Sequence, residues 1–346
     1  MANIATYASP AGRVNIIKGK MLSMTEPTEV LSLGCEMQPM PKNKGDNIIY
    51  EGIIPTGGST SNANTINRWS ITAASHTVSE GVTPTAETHS YRTVSVTIAQ
   101  YACLYSYSSK AANFHEDDFP AHQMRLSALR MGLVRELIRY GAMKACTTVI
   151  YSGGTSRATV DETVSINNLS LMSRTLLANG APMKTTILAA GPKYDTSAIE
   201  AGYLVFMHSD CEHDVRRLED FVPVAKYANG SPVNENELGS VGRFRFIISK
   251  ELNSYPDAGA AVSGLGLKST TGTLADVFPM IVCGEGSTYD VALNDNFTPF
   301  HIPANQRTKD DPHGSRGYVG ADFWSAAVVV NNGYMGVIEI AVSSLA

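Results

Sequence analysis

Asp117–Cys146 reads DDFPAHQMRLSALRMGLVRELIRYGAMKAC and is the most clearly helical stretch of the chain. At about 100° per residue, Met124, Ala128, Met131, Val134, Ile138, Ala142 and Ala145 fall on one stripe. Leu126, Leu129, Leu133, Leu137 and Tyr140 fall on a second, nearly opposite. Arg125, Glu136 and Arg139 lie on one flank between the stripes, and Arg130 lies on the other. A surface helix normally needs a single apolar stripe, so two predict cover on both sides. At 1.5 Å per residue the stretch would span roughly 40 Å. Asp117 and Asp118 suit the positive N-terminal end, Pro120 the first turn and Lys144 the negative C-terminal end. The stretch is expected to be a spine on which the rest of the chain is built.

The whole chain has 346 residues, long enough for one large domain or several ordinary ones. Hydrophobic residues make up 43% and charged ones 17%, values of a folded, rather uncharged protein. A net charge of -5 and a pI near 5.9 give no basic footprint for nucleic acid. No apolar run reaches the ~18 residues that cross a bilayer. The first twenty residues lack the apolar core of a signal peptide and read as a flexible arm. Cys35, Cys103, Cys146, Cys211 and Cys283 are odd in number and widely spaced, which predicts reduced thiols made in a cytosol. No fixed-period repeat marks a solenoid or propeller.

In chain order, residues 1–45 read as an arm with one helical turn around Glu26–Leu33. Asn47–Ile54 reads as a strand closed by Pro55. Thr56–Asn67 is Gly, Ser, Thr and Asn with almost nothing to bury, and Thr72–His89 is similar. Such a length without a core signal is too much for an ordinary loop. It is expected to be an extended hairpin whose partners lie outside its own domain. Tyr91–Ser108 alternates as one long strand, with Val94, Val96, Ile98 and Leu104 on one face and Tyr101, Cys103, Tyr105 and Tyr107 on the other. Beyond Gly153-Gly154 the pattern is α+β. It predicts a helix over Leu169–Ala178, a strand over Tyr203–Met207 and a helix over Ser209–Phe221. Further strands are expected at Arg243–Ile248, Phe278–Cys283 and Thr288–Leu293. Asn253–Gly272 reads as a mobile loop. Phe323–Val330 and Tyr334–Val342, joined by Asn331-Asn332-Gly333, predict a closing hairpin with Glu339 on a solvated or interface face.

Two clusters invite a chemical reading. His208, Asp210, Cys211, Glu212 and His213 offer zinc-type ligands within six residues. Ser209 and Glu212, however, form a capping box, and His208 and His213 lack the i, i+4 spacing of a metalloprotease pair. His115, Glu116, Asp117, Asp118 and His122 could serve acid–base chemistry, but helix electrostatics already explains the carboxylates. No nucleophile elbow, Walker loop or dinucleotide fingerprint is present. Lys42, Lys44, Arg13, Lys18 and Lys20 give the first 45 residues a basic bias, read as a solvated face. No catalytic, cofactor-binding or metal residue is assigned. An arm and a hairpin that cannot stabilise themselves predict neighbouring copies and heterologous contacts.

Three stretches carry a family resemblance. They are Pro41–Gly45 with Glu80-Gly81-Val82-Thr83-Pro84 and the strand Val94–Tyr105; Leu204–Asp210 with Asp214-Val215-Arg216; and Glu237–Phe246 followed by Ser249. Their order resembles the major capsid proteins of tailed bacteriophages with the Hong Kong 97-type fold, closest to the podophage subfamily. The resemblance covers most of Lys42–Ile248 and, more loosely, the C-terminal segment. Asn253–Asp276 matches no motif of it.

The resemblance implies an α+β fold with an N-terminal arm over 1–45 and an extended loop over 46–95. It further implies a peripheral domain over 96–158 and 300–346, including the spine helix 117–146, and an axial domain over 159–299. It implies a structural protein, not an enzyme, that assembles with itself into pentamers and hexamers of an icosahedral shell around double-stranded DNA. Scaffolding, portal and decoration proteins are the other partners it implies, with no cofactor and no membrane. The expected location is the virion, after assembly in the host bacterial cytoplasm. Two alternatives are a nanocompartment (encapsulin-like) shell protein and a metal-dependent hydrolase using His208, Asp210 and His213.

Overall fold

A computed structural model describes residues 29–54, 72–84, 86–115, 118–188, 198–227, 232–262, 264–293, 298–307 and 309–345. Most of the expected arm, Thr56–Asn67 and the pair Glu116–Asp117 lie outside these. Along the chain, a 3₁₀ turn at Leu31–Leu33 leads to β1 (Cys35–Met40) and β2 (Asn47–Ile54). Next come β3 (Ser90–Thr97), β4 (Ala99–Ser108), the short helix α1 (Ser109–Phe114) and α2 (Phe119–Met143). The middle holds β5 (Val149–Tyr151), α3 (Ile166–Ala178), β6 (Tyr203–His208) and α4 (Glu212–Arg216), then β7 (Val222–Pro223), β8 (Glu237–Val241) and β9 (Phe244–Ser249). The rest is β10 (Phe278–Cys283), β11 (Thr288–Leu293), β12 (Thr298–Ile302), β13 (Arg316–Val329) and β14 (Met335–Ile340). The fold is mixed helix and strand.

Two large sheets share the work. In one, the long β13 pairs antiparallel with β4 and β12 over its first part and with β11 over its last, and β1 adds in parallel to β11. The other is seven-stranded, in the order β5-β14-β10-β6-β9-β8-β7. Strict alternation buries both of its faces. On β6, Tyr203, Val205 and Met207 meet Leu169, Met172 and Leu176 of α3. Leu204 and Phe206 point the opposite way, to Val30, Leu31, Tyr140 and Met143. A strand buried on both faces reads as a continuous apolar run, which YLVFM is.

The spine helix is present, shorter than 117–146. Asp118 is its N-cap, accepting a hydrogen bond from the Ala121 N–H at 3.3 Å, and Lys144 is its C-cap. Met131, Val134 and Ile138 lie on Cys103, Ala321 and Phe323 of β4 and β13, while Tyr140 and Met143 enter the core of the seven-stranded sheet. Cover on two sides is thus achieved inside the subunit, over the C-terminal half of the helix. The stripes themselves need correction. Met124 and Ala128 are exposed, Leu126, Leu129 and Leu133 are half-buried, and Leu137 is 38% exposed. Gln123, Ser127, Glu136 and Arg139 are buried instead.

Other expectations are corrected too. Tyr91–Ser108 is two strands that part at Ile98: β3 pairs with β2 in a two-stranded ribbon, and β4 joins β13. The closing hairpin does not form. β13 and β14 sit in different sheets, and Asn331-Asn332-Gly333 is the turn between them, with Gly333 N–H donating to Asn331 Oδ1 at 2.9 Å. Gly333 takes no positive φ, so the dipeptide signal is met by an Asx turn. Glu339 is 2% exposed, held by Arg157 through bonds of 2.6 and 2.8 Å. The helix expected over Ser209–Phe221 stops at Arg216, and Asp220 turns the chain with φ 63°.

Asn253–Gly272 is packed and bonded. Leu252 and Leu267 are buried, Tyr255 and Ala261 bridge to Val277 and Leu274, and the Asp276 carboxylate accepts the N–H groups of Asp257 and Thr270. Sheet pairing also crosses the expected segment limits. β1 falls within 1–45 and β11 within 159–299, yet both join the sheet of β13; β14 falls within 300–346 and joins β10.

Candidate functional site

The His208 cluster is dispersed by the turn that contains it. His208 itself, not Ser209, caps the 3₁₀ turn: its Nδ1 accepts the Asp210 N–H at 3.1 Å. Asp210 pairs with Lys268, and Glu212 pairs with Arg216 at 2.8 Å. Cys211 points into the core and His213 into solvent. Burial lowers the His208 pKa, with the Asp210 carboxylate opposing it. Among the described residues, no three His, Cys, Asp or Glu side chains gather in a way that could hold a metal ion. Asp214, to which the sequence assigned no individual role, does the structural work: it accepts from Ser343 N–H at 2.9 Å and from Ser343 Oγ–H at 2.6 Å. In the second cluster, His115 rests edge-on against the Phe119 ring and Asp118 is spent as the cap.

The strongest electrostatic feature lies where α2, β11, β13 and residues 29–31 meet. Arg139 donates from Nη2 and Nε to Asp290 Oδ2 at 2.7 and 2.9 Å, and Ser325 Oγ–H donates to Asp290 Oδ1 at 3.2 Å. Glu136 Oε1 accepts the backbone N–H groups of Val30 and Leu31 at 2.8 and 2.9 Å. Its other oxygen is 3.5 Å from Arg139 Nη1, and the Glu29 carboxylate is 3.6 Å from the same nitrogen. Arg135 adds a further charge, 3.3 Å from Asp290. Burial raises the Glu136 pKa against the pull of the two N–H donors. For Arg139 burial acts downward, but Asp290 outweighs it and the net direction is up. Every charge here has a partner, the condition for burying it without a large penalty. The junction fixes the N-terminal segment and the first sheet onto one helix.

The ribbon of β2 and β3 is the third feature. Its inner face packs on the body. Tyr50 stacks on Tyr289 with ring centroids 4.9 Å apart, Arg92 donates to the Val330 carbonyl, Val94 is buried, and Ile48, Val96 and Ile98 pack with Met40 and Val291. The outer face carries Ile49, Ile53 and Tyr91, each more than half exposed. Large apolar side chains in a row on a projecting ribbon mark an interaction surface.

No protein-family model matches the chain. A major capsid protein of Pseudomonas phage KPP21 is 23% identical over 264 residues, which is 70% of this chain and 66% of that protein. The aligned part therefore spans about two thirds of that relative. The capsid of Ralstonia phage GP4 matches with a TM-score of 0.61 at 11% identity, over 99% of this chain and 98% of its own. The capsid of cyanophage P-SCSP1u gives 0.61 at 11% identity over 96% and 94%, and that of cyanophage Pam1 gives 0.58 at 12% over 99% and 100%. The fold is that of a phage capsid protein.

In this capsid fold the three features take distinct places. The charged junction and the two cores build the subunit, whereas the outer face of the ribbon leaves large apolar side chains exposed.

Proposed function

We propose that the chain is a major capsid protein that assembles with itself into the icosahedral shell around a phage's double-stranded DNA. The observation that carries the reading is the extent of the match. Capsid structures align with nearly the whole chain, and a major capsid protein shares sequence with most of it. On this reading the fold is of the Hong Kong 97 type. Residues 1–45 are the N-terminal arm and 46–95 the extended loop, which reaches over an adjacent subunit. Residues 96–158 and 300–346 form the peripheral domain, and 159–299 form the axial domain around the five- or six-fold axis. The role is structural and not enzymatic. Scaffolding, portal and decoration proteins are further partners, and assembly takes place in the host cytoplasm. A wall of net charge -5 suits this role, because a strongly basic one would bind the genome along its length and resist its entry.

Electron microscopy of the expressed protein, with and without a scaffolding partner, tests the proposal. Closed shells are expected; soluble monomers under every condition would overturn it. DNA inside the particles identifies a capsid, and protein cargo inside them identifies a nanocompartment. Deleting Thr56–Asn67 is expected to leave a cooperatively folded subunit that no longer assembles.

A further inference from the structure

Arg92 carries a positive charge into the protein and meets no negative one there. It projects from the inner face of β3 and is 9% exposed. Its Nη2 donates to the Val330 carbonyl, just beyond the end of β13. Its Nε and Nη1 are closed to solvent and have no acceptor. Among the described residues no carboxylate pairs with the guanidinium, and burial, with nothing opposing it, moves its pKa down. Arg139 and Arg157, by contrast, each reach a buried carboxylate, Asp290 and Glu339. Arg245 leaves one nitrogen without an acceptor, whereas Arg92 leaves two.

A further unbonded donor lies beside it. Register pairs Tyr50 with Val94 and Gly52 with Arg92, so Tyr50 and Arg92 are diagonal neighbours on the inner face of the ribbon. The Tyr50 ring stacks on Tyr289, and its hydroxyl is closed to solvent with no partner. Gly52, directly opposite Arg92, adds no side chain on that face.

An unpaired buried charge is costly, and buried donors without acceptors point to a bound ion or water. A water can complete a hydrogen bond but cannot neutralise a guanidinium. An oxyanion does both, because its oxygens accept from the guanidinium N–H groups and from a phenol O–H alike. Donors closed to solvent admit a small free ion and exclude a phosphate held in a nucleic-acid backbone.

We propose that the inner face of the β2–β3 ribbon binds a small inorganic oxyanion of the phosphate class through Arg92 and Tyr50. The ion acts as a fastener. Arg92 already ties β3 to Val330, and the bound anion supplies the charge that lets this tie stay buried. The site goes beyond the capsid reading and does not depend on it.

Inorganic phosphate is titrated into the purified chain at constant ionic strength, with chloride as the reference. The expected result is a saturable rise in melting temperature, with one phosphate bound per chain by calorimetry. Hydrogen exchange of the β2 and β3 amides should slow in phosphate, while exchange within β6 and β10 stays as it is in chloride. Arg92→Met is expected to weaken phosphate binding at least about tenfold, the loss of a charge-assisted hydrogen bond. Tyr50→Phe keeps the stacked ring and should weaken binding by less. A short DNA duplex at the same phosphate concentration should leave ribbon exchange unchanged, and protection by the duplex would overturn a free-ion site. A wild-type chain with no saturable difference between phosphate and chloride would overturn the inference, as would an affinity untouched by Arg92→Met. If Arg92→Met fails to fold, undiminished affinity in Tyr50→Phe overturns it instead.

Discussion

Arg139 of α2 grips Asp290 of β11 with two hydrogen bonds of 2.7 and 2.9 Å, and both side chains are at most 2% exposed. Replacing Asp290 by Ala strands a buried guanidinium, and a loss of about 3–5 kcal/mol in urea unfolding is expected. Replacing the pair together, Arg139→Met with Asp290→Leu, is expected to recover most of that loss, because the apolar pair needs no desolvation. Equal losses in the single and double variants would show that the ion pair is not what the junction depends on.

Glu136 anchors residues 30 and 31 rather than the helix it sits on. Glu136→Ala leaves two buried N–H groups without acceptors, an expected cost of about 1–3 kcal/mol. The distinguishing readout is local. Hydrogen exchange at the Val30 and Leu31 amides should accelerate, while exchange within β6 and β10 stays slow. Glu136→Gln keeps the accepting oxygen and should fall between the two.

Gly317 stands opposite Tyr107 in the β4–β13 register, and a Cβ there would lie 2.2 Å from the Tyr107 ring. Tyr107 is itself fixed by a 2.8 Å bond from its hydroxyl to His301. Gly317→Ala is therefore expected to destabilise the subunit by about 1–3 kcal/mol through overpacking. Adding Tyr107→Leu should relieve part of the penalty, and strict additivity of the two changes would argue against the contact.

Burial raises the Cys146 pKa from 9.0 to about 11 and that of Cys35 to about 12. Raised folded-state values mean that these thiols hold their protons at neutral pH. Their contribution to stability is complete below the unfolded pKa and is lost as pH climbs through the folded one. Native protein at pH 8 should resist a thiol-reactive dye, and denatured protein should titrate all five cysteines. The melting temperature should decline from about pH 9 towards pH 11. Rapid native labelling would show that the core around Cys35 opens.

Local signals carried much of this fold. β2, β10 and β11 begin and end where alternation or a continuous apolar run begins and ends. Helix α3 ends at Asn179-Gly180, where Gly180 takes φ +71°. What was illegible depended on distant partners. β1 contains Pro39 and the polar Glu36 and Gln38, and it is a strand only because β11 lies beside it. Glu136 and Arg139 read as flank charges because Asp290, Val30 and Leu31 are nowhere near them in sequence. Asn331-Asn332-Gly333 signals a turn correctly, but the dipeptide cannot say whether the strands it joins will pair. The ribbon was partly legible: an apolar-poor hairpin implied an outside partner, whereas the gathering of Ile49, Ile53 and Tyr91 on one exposed face needed the β2–β3 register to be seen.

The threading of the two sheets bears on how the subunit is made. The chain enters the seven-stranded sheet at β5, leaves it after β10 for β11, β12 and β13, and returns for β14. Synthesis proceeds at about 5–20 residues per second. For seconds after α2 emerges, the helix therefore has β4 but not β13 to lie on, and β6 waits for β9 and β10, its two neighbours in the sheet. A nascent or truncated chain lacks the finished β4–β13 surface. A chain that stops before β13 never completes the surface on which α2 lies.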